Sequence, residues 1–265
     1  MAVLIHGDRI VPVWLEAARH LAQCADNVER NIVLEIASPG VLNALDRDVI
    51  GAVDEALKTQ LPGLSVQTVA STIFPNHLYK LDKRPAFYES YLNAMSKGKK
   101  KGTWGTYALR MIRRVARNGT TTYNPLETLV RKLQASKEGR CFQAVYELGL
   151  VDVELDLQDD GFGFEIPLYD PALDRNLTLN MPCLSHISFK VTKGKLDLTA
   201  LYRSHWYCQR ALGNLIGLNN LFNFVATESG FERGVLTCLS THAYLDTQSF
   251  GGAQATKKLL ESFDK

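Results

Sequence analysis

The hydrophobic positions of the chain follow two patterns, short apolar runs and apolar residues three or four apart, which predict strands and helices respectively. Helical spacing is clearest over 41–58, a segment that a Pro-Gly pair closes. The segment 124–135 also has helix-start signals, because Asn124 is a good N-cap and Glu127 stands three residues later. In the N-terminal half we therefore predict strands at 1–14, 31–36 and 65–74 and helices over 41–58, 85–95 and 124–135.

The C-terminal half contains a predicted β-hairpin. From Cys183 to Val191 the residues alternate between an apolar and a polar face, as in a half-buried strand. A loop at 192–195 and a returning strand over 196–202 complete the hairpin. The segments that follow are a buried helix over 213–226, a strand over 234–244 and a helix over 256–263. Because strands and helices alternate irregularly, we predict an α+β fold, with one domain over 1–265.

Composition is that of an ordinary globular protein. The 265 residues are 46% hydrophobic and 22% charged, and 30 basic against 28 acidic residues give a net charge of +2. So small an excess excludes binding to nucleic acid through bulk charge, and we expect no nucleic-acid polymer as a partner. The N-terminal run is too short and too polar for a signal peptide, and no apolar stretch reaches the roughly 18 residues of a membrane span. We expect a cytoplasmic protein without a membrane partner.

The five cysteines are dispersed along the chain and form no CxxC pair. This pattern predicts reduced thiols, and it argues against a structural zinc site, which needs clustered ligands. We therefore expect no metal. Composition leaves open which thiol, if any, is a nucleophile.

Charged residues cluster in two segments. Four arginines spaced as on one face of a helix predict a basic stripe, namely Arg110, Arg113, Arg114 and Arg117. Their mutual repulsion favours a nearby anion or acidic partner, although a solvated face is the alternative. The segment over about 151–176 is rich in Asp and Glu. We predict that this acidic insert leaves the core and covers the basic stripe of its own subunit or of a neighbouring one.

Four short motifs in the C-terminal half occur in a distinctive order. They are Met181-Pro182-Cys183, Leu201-Tyr202-Arg203-Ser204, Gly213-Asn214 and Thr241-His242-Ala243-Tyr244-Leu245. Their order resembles that of the thymidylate synthase superfamily, and so does their spacing, since Arg203 follows Cys183 by twenty residues and Asn214 follows Arg203 by eleven. The resemblance covers about 124–246. It implies an α+β fold of the thymidylate synthase type, with a large mixed β-sheet packed against helices.

The resemblance implies chemistry at carbon 5 of a pyrimidine nucleotide. That carbon is a poor nucleophile until a thiolate adds to carbon 6, and Cys183 would supply the thiolate. Arg203 would lower the pKa of the thiol and, together with Ser204, hold the phosphate. A buried strand cysteine without a chemical role is the alternative. The implied substrate is a pyrimidine nucleoside monophosphate such as deoxyuridylate, and the implied reaction is methyl or hydroxymethyl transfer from 5,10-methylenetetrahydrofolate.

The same resemblance implies contacts to the rest of the nucleotide. Asn214 would hydrogen-bond the edge of the base. His242 and Tyr244 would hold the sugar hydroxyl, with a purely structural pair at a strand end as the alternative.

The resemblance also implies a homodimer with shared sites, because Arg140 would reach the phosphate bound by the partner subunit. In the family a second arginine follows this position, and here it is Cys141. Arg110 and Arg113 would compensate for its loss.

The sequence departs from the family on the folate side. Trp206 stands where the family has a pterin-binding Asp, and we predict a buried indole that fills the vacated space rather than one that stacks on a ligand. The chain ends soon after the Tyr244 motif, where the family has a longer closing segment, and Glu89 is the one candidate for the catalytic Glu. We therefore expect weak binding of methylenetetrahydrofolate or none.

Three functions are consistent with these residues. The first is methyl or hydroxymethyl transfer to carbon 5 through a Cys183 adduct. The second is a folate-independent change to the base through the same adduct. The third is a protein without catalysis that binds and senses pyrimidine nucleotides.

Overall fold

Strands and helices alternate along the described part of the chain. The structure is a computed structural model, and it describes residues 1–98, 105–115, 120–138, 165–167 and 182–263. The strands are β1 (Val3–Gly7), β2 (Val28–Glu29), β3 (Ile32–Ile36), β4 (Arg114–Val115), β5 (Thr122–Tyr123), β6 (Glu165–Pro167), β7 (Leu184–Thr192), β8 (Lys195–Tyr202), β9 (His205–Trp206), β10 (Glu232–Ser240) and β11 (Ala243–Tyr244). The helices are α1 (Ile10–Gln23), α2 (Ala44–Gln60), α3 (Val66–Ile73), α4 (Asn76–Asp82), α5 (Ala86–Gly98), α6 (Tyr107–Ile112), α7 (Pro125–Glu138), α8 (Leu212–Ser229) and α9 (Ala253–Glu261).

A mixed sheet forms the centre of the fold. Among the described strands its order is β1-β3-β10-β8-β7-β6. β1 runs parallel to β3 and β10 runs parallel to β8, whereas the other neighbours are antiparallel. A smaller sheet, β2-β11-β9, lies beside it. The predicted large mixed sheet packed against helices is therefore confirmed.

Helix α8 packs closely against α3 because glycine faces the neighbouring helix. A Cβ atom at Gly217 would lie 2.7 Å from the carbonyl oxygen of Ala70, and one at Gly213 would lie 2.6 Å from the Cβ of Val69. Neither position has room for a side chain, so the two backbones come into direct contact. This contact sets the position of Asn214, which directly follows Gly213 in α8.

Most of the predicted elements are present. The helices predicted at 41–58, 85–95, 124–135, 213–226 and 256–263 correspond to α2, α5, α7, α8 and α9. Asn124 is the N-cap of α7, since its Oδ1 accepts the backbone N–H of Glu127 at 2.9 Å. The hairpin of β7 and β8 is confirmed as well.

Two strand predictions near the N-terminus need correction. The strand predicted at 1–14 ends at Gly7, and α1 begins at Ile10. The strand predicted at 65–74 is helix α3. Its buried residues have helical spacing, and Ser65 and Thr68 form a reciprocal capping box, so the β-branched composition does not decide the structure. The buried residues of α3 are Val66, Val69, Ala70 and Ile73.

The predicted basic stripe is wrong, because helix α6 ends at Ile112. Arg113 has extended backbone angles, and Arg114 pairs with Tyr123 in the two-stranded ribbon of β4 and β5. The backbone groups that a longer helix would have hydrogen-bonded internally are instead paired between β4 and β5. Arg110 is buried, whereas Arg113 is exposed, so these two side chains do not share one face. Arg117 lies outside the described residues.

Only a small part of the predicted acidic insert lies within the described residues. Glu165–Pro167 forms β6, which pairs antiparallel with β7 between His186 and Ser188. For these residues the prediction of an excursion from the core is wrong, because they extend the central sheet. In the described ranges, no helix has both the length and the apolar character needed to cross a bilayer.

We predict that Gly217→Ala destabilises the protein by about 1–3 kcal/mol, the usual range for an overpacked core. The matched control is Gly51→Ala, an exposed position inside α2 where a new Cβ meets nothing within 4 Å. There the same change should stabilise the protein by about 0.5–1 kcal/mol, because alanine favours the helix. Urea denaturation measures both free energies of unfolding. Equal stability of Gly217→Ala and the wild type would contradict the close contact of α3 and α8.

Candidate active site around Cys183

Cys183 lies immediately before β7, where the ends of β8 and β10 also arrive. Its carbonyl accepts the backbone N–H of Arg203 at 3.0 Å, one residue beyond the pairing of Leu184 with Tyr202. Thr241 follows β10, and its hydroxyl donates to the Arg203 carbonyl at 3.1 Å. Three strand ends are therefore joined at the predicted nucleophile, and Ser204 follows Arg203 in the same turn.

Tyr107 holds Cys183 from the side of helix α6. Its phenolic oxygen accepts the backbone N–H of Cys183 at 3.0 Å and that of Leu184 at 3.2 Å. Burial raises the pKa of Tyr107 to about 12, so the group is a neutral phenol near pH 7. The buried Arg110 lies one turn later on α6. Sequence reasoning missed Tyr107, because nothing local connects a tyrosine in one helix to a strand more than seventy residues later.

The thiol of Cys183 titrates above its usual range. Burial raises its pKa, and the guanidinium groups of Arg203 and Arg210 lower it, but burial has the larger effect. We expected Arg203 to lower the pKa. That single interaction has the expected direction, but the net shift is opposite because the half-buried thiol packs against the core. The protonated thiol is therefore the resting form near pH 7.

Arg210 is a second cation that sequence reasoning missed. It lies in a single π-helical turn, Tyr207–Ala211. The buried carboxylate of Asp246 accepts the backbone N–H of Cys208 at 2.8 Å and that of Gln209 at 3.2 Å, so it fixes this turn. Burial lowers the pKa of Arg210, whereas Tyr107, Cys183 and Asp246 raise it. No local pattern in the sequence places this arginine near Cys183, because the two residues come together only through the fold.

A buried polar chain holds Asn214. The Nδ2 atom of Asn214 lies 3.1 Å from Nε2 of His205, and Nδ1 of His205 lies 2.9 Å from the hydroxyl of Ser240. Burial lowers the pKa of His205 to about 3, so the ring is neutral. Because Nε2 accepts the amide N–H, Nδ1 carries the proton and donates to Ser240. The ring also stacks on Tyr202 with centroids 4.0 Å apart, which holds the imidazole in place.

His242 and Tyr244 lie at the exposed side of the same corner. The backbone carbonyl of His242 accepts the N–H of His205 at 2.9 Å, and Tyr244 pairs with Trp206 across β11 and β9. Trp206 is 45% exposed and meets the ring of Tyr244 edge-on, with centroids 6.2 Å apart. The prediction of a buried indole is wrong. Successive side chains of a strand point to opposite faces, so the buried His205 turns Trp206 outward.

Among the described residues, Arg113 and Glu89 do not join this cluster. Arg140 lies outside the described residues, and Arg113 is exposed beyond the end of α6. Glu89 is exposed on α5. A cavity of about 570 Å³ lies between α1 and α2, and no residue of the Cys183 cluster lines it.

The fold and the cluster define a mixed α/β protein with a cysteine and two arginines at the meeting point of three strand ends. Curated relatives carry the name "Putative thymidylate synthase". The Methanosarcina acetivorans protein is 29% identical over 140 residues, 53% of this chain and 52% of the relative. The Methanothermobacter marburgensis protein is 36% identical over 90 residues, 34% and 40% of the two chains. The Methanocaldococcus jannaschii protein is 26% identical over 125 residues, 46% and 48% of the two chains.

The chain spans about half of the length of these relatives or less. No family model matches it. The resemblance to thymidylate synthase that the four motifs predict is confirmed by these relatives, as a divergent likeness.

We predict that Arg210→Gln shifts the pH profile of Cys183 alkylation by iodoacetamide to higher pH. Arg210 favours the thiolate, so its loss leaves less thiolate at any given pH. Peptide mass spectrometry follows Cys183 separately from the other thiols. The control is Arg113→Gln, which removes an exposed arginine that has no effect on the thiol pKa and should leave the profile unchanged. If the Arg210→Gln profile coincided with that of the wild type, the electrostatic role of Arg210 would be wrong.

Proposed function

We propose that the chain is an enzyme of the thymidylate synthase type that modifies carbon 5 of a pyrimidine nucleoside monophosphate through a Cys183 adduct. The observation that carries the proposal is the junction of Cys183, Arg203 and Thr241, with the His205–Asn214 pair beside it. The name of the curated relatives supports the reaction class. A fold of the thymidylate synthase type is part of this proposal.

In the first step the Cys183 thiol loses its proton to solvent, and the sulfur forms a bond to carbon 6 of the base. The electron pair of the 5,6 double bond moves toward the carbonyl oxygen at carbon 4, which leaves carbon 5 as an enolate-like nucleophile. Because burial disfavours the thiolate, the two nearby cations matter. If Arg203 engages the phosphate together with Ser204, Arg210 still supplies a positive charge near the sulfur.

Asn214 recognises the base in this proposal. One N–H of its Nδ2 is held by His205, so the second N–H donates to the carbonyl oxygen at carbon 4 and Oδ1 accepts the N–H at position 3 of uracil. The negative charge that develops on that oxygen strengthens the first of these bonds. His242 and Tyr244 hold the sugar hydroxyl.

The position where the family binds the one-carbon donor, the folate, favours a second candidate function. The indole of Trp206 has one donor and no acceptor, so it does not provide the acid that binds a pterin in the family. Losing one charge-assisted hydrogen bond of this kind costs about 1.5–3 kcal/mol. The residues at this position do not fit the folate, and the second candidate is therefore modification of carbon 5 through the same adduct with a different electrophile. The exposed indole is available to stack on a flat ligand.

Release of tritium from deoxyuridylate labelled at carbon 5 tests the proposal, because substitution there expels the hydrogen. We expect release from the wild type and none from Cys183→Ser, which lacks the thiolate. Nucleotide binding to Cys183→Ser, measured by calorimetry, should stay within a few-fold of the wild type, since phosphate contacts carry much of the affinity. Substantial release by Cys183→Ser would exclude the covalent mechanism. Binding without release or adduct in the wild type would favour a nucleotide sensor.

The same assay separates the two candidate functions. Release that requires methylenetetrahydrofolate supports the folate-dependent reaction, and release without it supports the second candidate. We expect calorimetry to show weak folate binding or none in the nucleotide complex. Tight folate binding that depends on the nucleotide would instead favour the folate-dependent reaction.

We also propose a homodimer in which Arg140 reaches the phosphate bound by the partner. Arg140→Ala and Cys183→Ala subunits are each inactive in this arrangement, but a mixed dimer has one site without either defect. We predict that mixing the two variants restores tritium release. Native mass spectrometry would establish that hybrids form. Hybrids without activity would exclude the shared site.

A further inference from the structure

Three side chains with metal-binding atoms converge at the end of α1, away from the Cys183 cluster. They are His20 in the last turn of α1, Cys24 at its C-cap and Glu29 in β2. The Sγ of Cys24 lies 3.5 Å from Nε2 of His20 and 3.9 Å from Oε2 of Glu29. The same Nε2 and Oε2 atoms are 3.6 Å apart. One atom of each residue therefore points at a common centre.

The size of this triangle matches a tetrahedral zinc ion. The three atoms lie on a circle with a radius of about 2.1 Å, so an ion displaced slightly from their plane, as tetrahedral geometry requires, would lie about 2.2 Å from each of them. Zinc bonds are about 2.3 Å to sulfur and 2.0–2.2 Å to nitrogen and oxygen. In tetrahedral geometry these bond lengths separate a sulfur and a nitrogen ligand by about 3.5 Å, the separation found here.

We propose that His20, Cys24 and Glu29 bind one zinc ion per chain, with a water molecule as the fourth ligand. Thiolate and imidazole select zinc over magnesium or calcium, which prefer oxygen ligands. All three side chains are partly exposed, so an ion has access from solvent. This proposal departs from the expectation of no metal that the dispersed cysteines gave, because a single cysteine suffices when histidine and glutamate complete the ligand set.

Zinc binding would displace the proton of the Cys24 thiol and place a cation between the thiolate and the Glu29 carboxylate, which offsets the repulsion between these two anionic groups.

The ion would fasten the small sheet to the first helix. Glu29 pairs with Ala243 of β11, and Ala243 in turn pairs with His205 of β9. This sheet carries Tyr244 and Trp206 at the exposed side of the Cys183 cluster. Zinc at the end of α1 would thus hold the element that positions those side chains. The proposal does not depend on the reaction at Cys183.

The test uses the untagged chain of 265 residues, stripped with a chelator and titrated with zinc against a chromophoric competitor. We expect one zinc per chain and an affinity that falls by more than about a hundredfold in Cys24→Ser, since losing a ligand costs more than losing a ligand's hydrogen-bond partner. His20→Gln and Glu29→Gln should weaken binding in the same way. Matched controls are Cys183→Ser and His77→Gln, which should bind like the wild type.

Two measurements on the wild type keep the outcome independent of how the variants fold. Cobalt in place of zinc should give the thiolate-to-metal absorption of a single cysteine ligand. Zinc should also protect Cys24, but not Cys183, from alkylation as read by peptide mass spectrometry. Binding that is unchanged in Cys24→Ser, or no stoichiometric zinc in the wild type, would overturn the proposal. Neither result depends on nucleotide binding or tritium release.

Discussion

The corner around Cys183 depends on one backbone hydrogen bond, from the N–H of Arg203 to the carbonyl of Cys183. This bond extends the pairing of β7 and β8 past the last regular pair of the ladder, so it fixes the two residues relative to each other whatever their side chains do. The phenolic oxygen of Tyr107 accepts the N–H of Cys183, so both the N–H and the carbonyl of the cysteine are hydrogen-bonded. The cysteine is therefore held rigidly at a position where a strand end would otherwise be mobile.

Desolvation controls the ionisable groups of this corner in opposite ways. It raises the pKa of the Cys183 thiol and thereby keeps the thiol in its protonated form. It lowers the pKa of His205 and thereby keeps the ring neutral, with Nε2 free to accept the Asn214 amide. Both effects have the same origin, since a poorly solvated site disfavours whichever form is charged. The result is a thiol whose ionisation depends on the nearby cations Arg203 and Arg210, in the same corner as a neutral polar chain through His205.

The exposed side of the corner is built on the small sheet of β2, β11 and β9. In β9 the buried His205 and the exposed Trp206 are adjacent, so one strand contributes both to the internal polar chain and to the outer surface. The predicted strand over 234–244 is interrupted after Ser240, and this break lets β11 leave the central sheet and pair with β9. Without the interruption, His242 and Tyr244 would continue along the central sheet instead of lying beside Trp206.

The sequence by itself determined the features that depend on neighbouring residues. Helical spacing and capping residues located α2, α7 and α8, alternation located the β7–β8 hairpin, and motif spacing selected Cys183, Arg203, Asn214, His242 and Tyr244. It misjudged 65–74 and the arginine stripe, where a capping box and a strand pairing outweigh composition and spacing. Only the tertiary structure decided the role of Tyr107, the place of Arg210 and the exposure of Trp206. The direction of the Cys183 pKa shift belongs with these, because it depends on burial and on charges contributed by distant parts of the chain, and a local pattern contains neither.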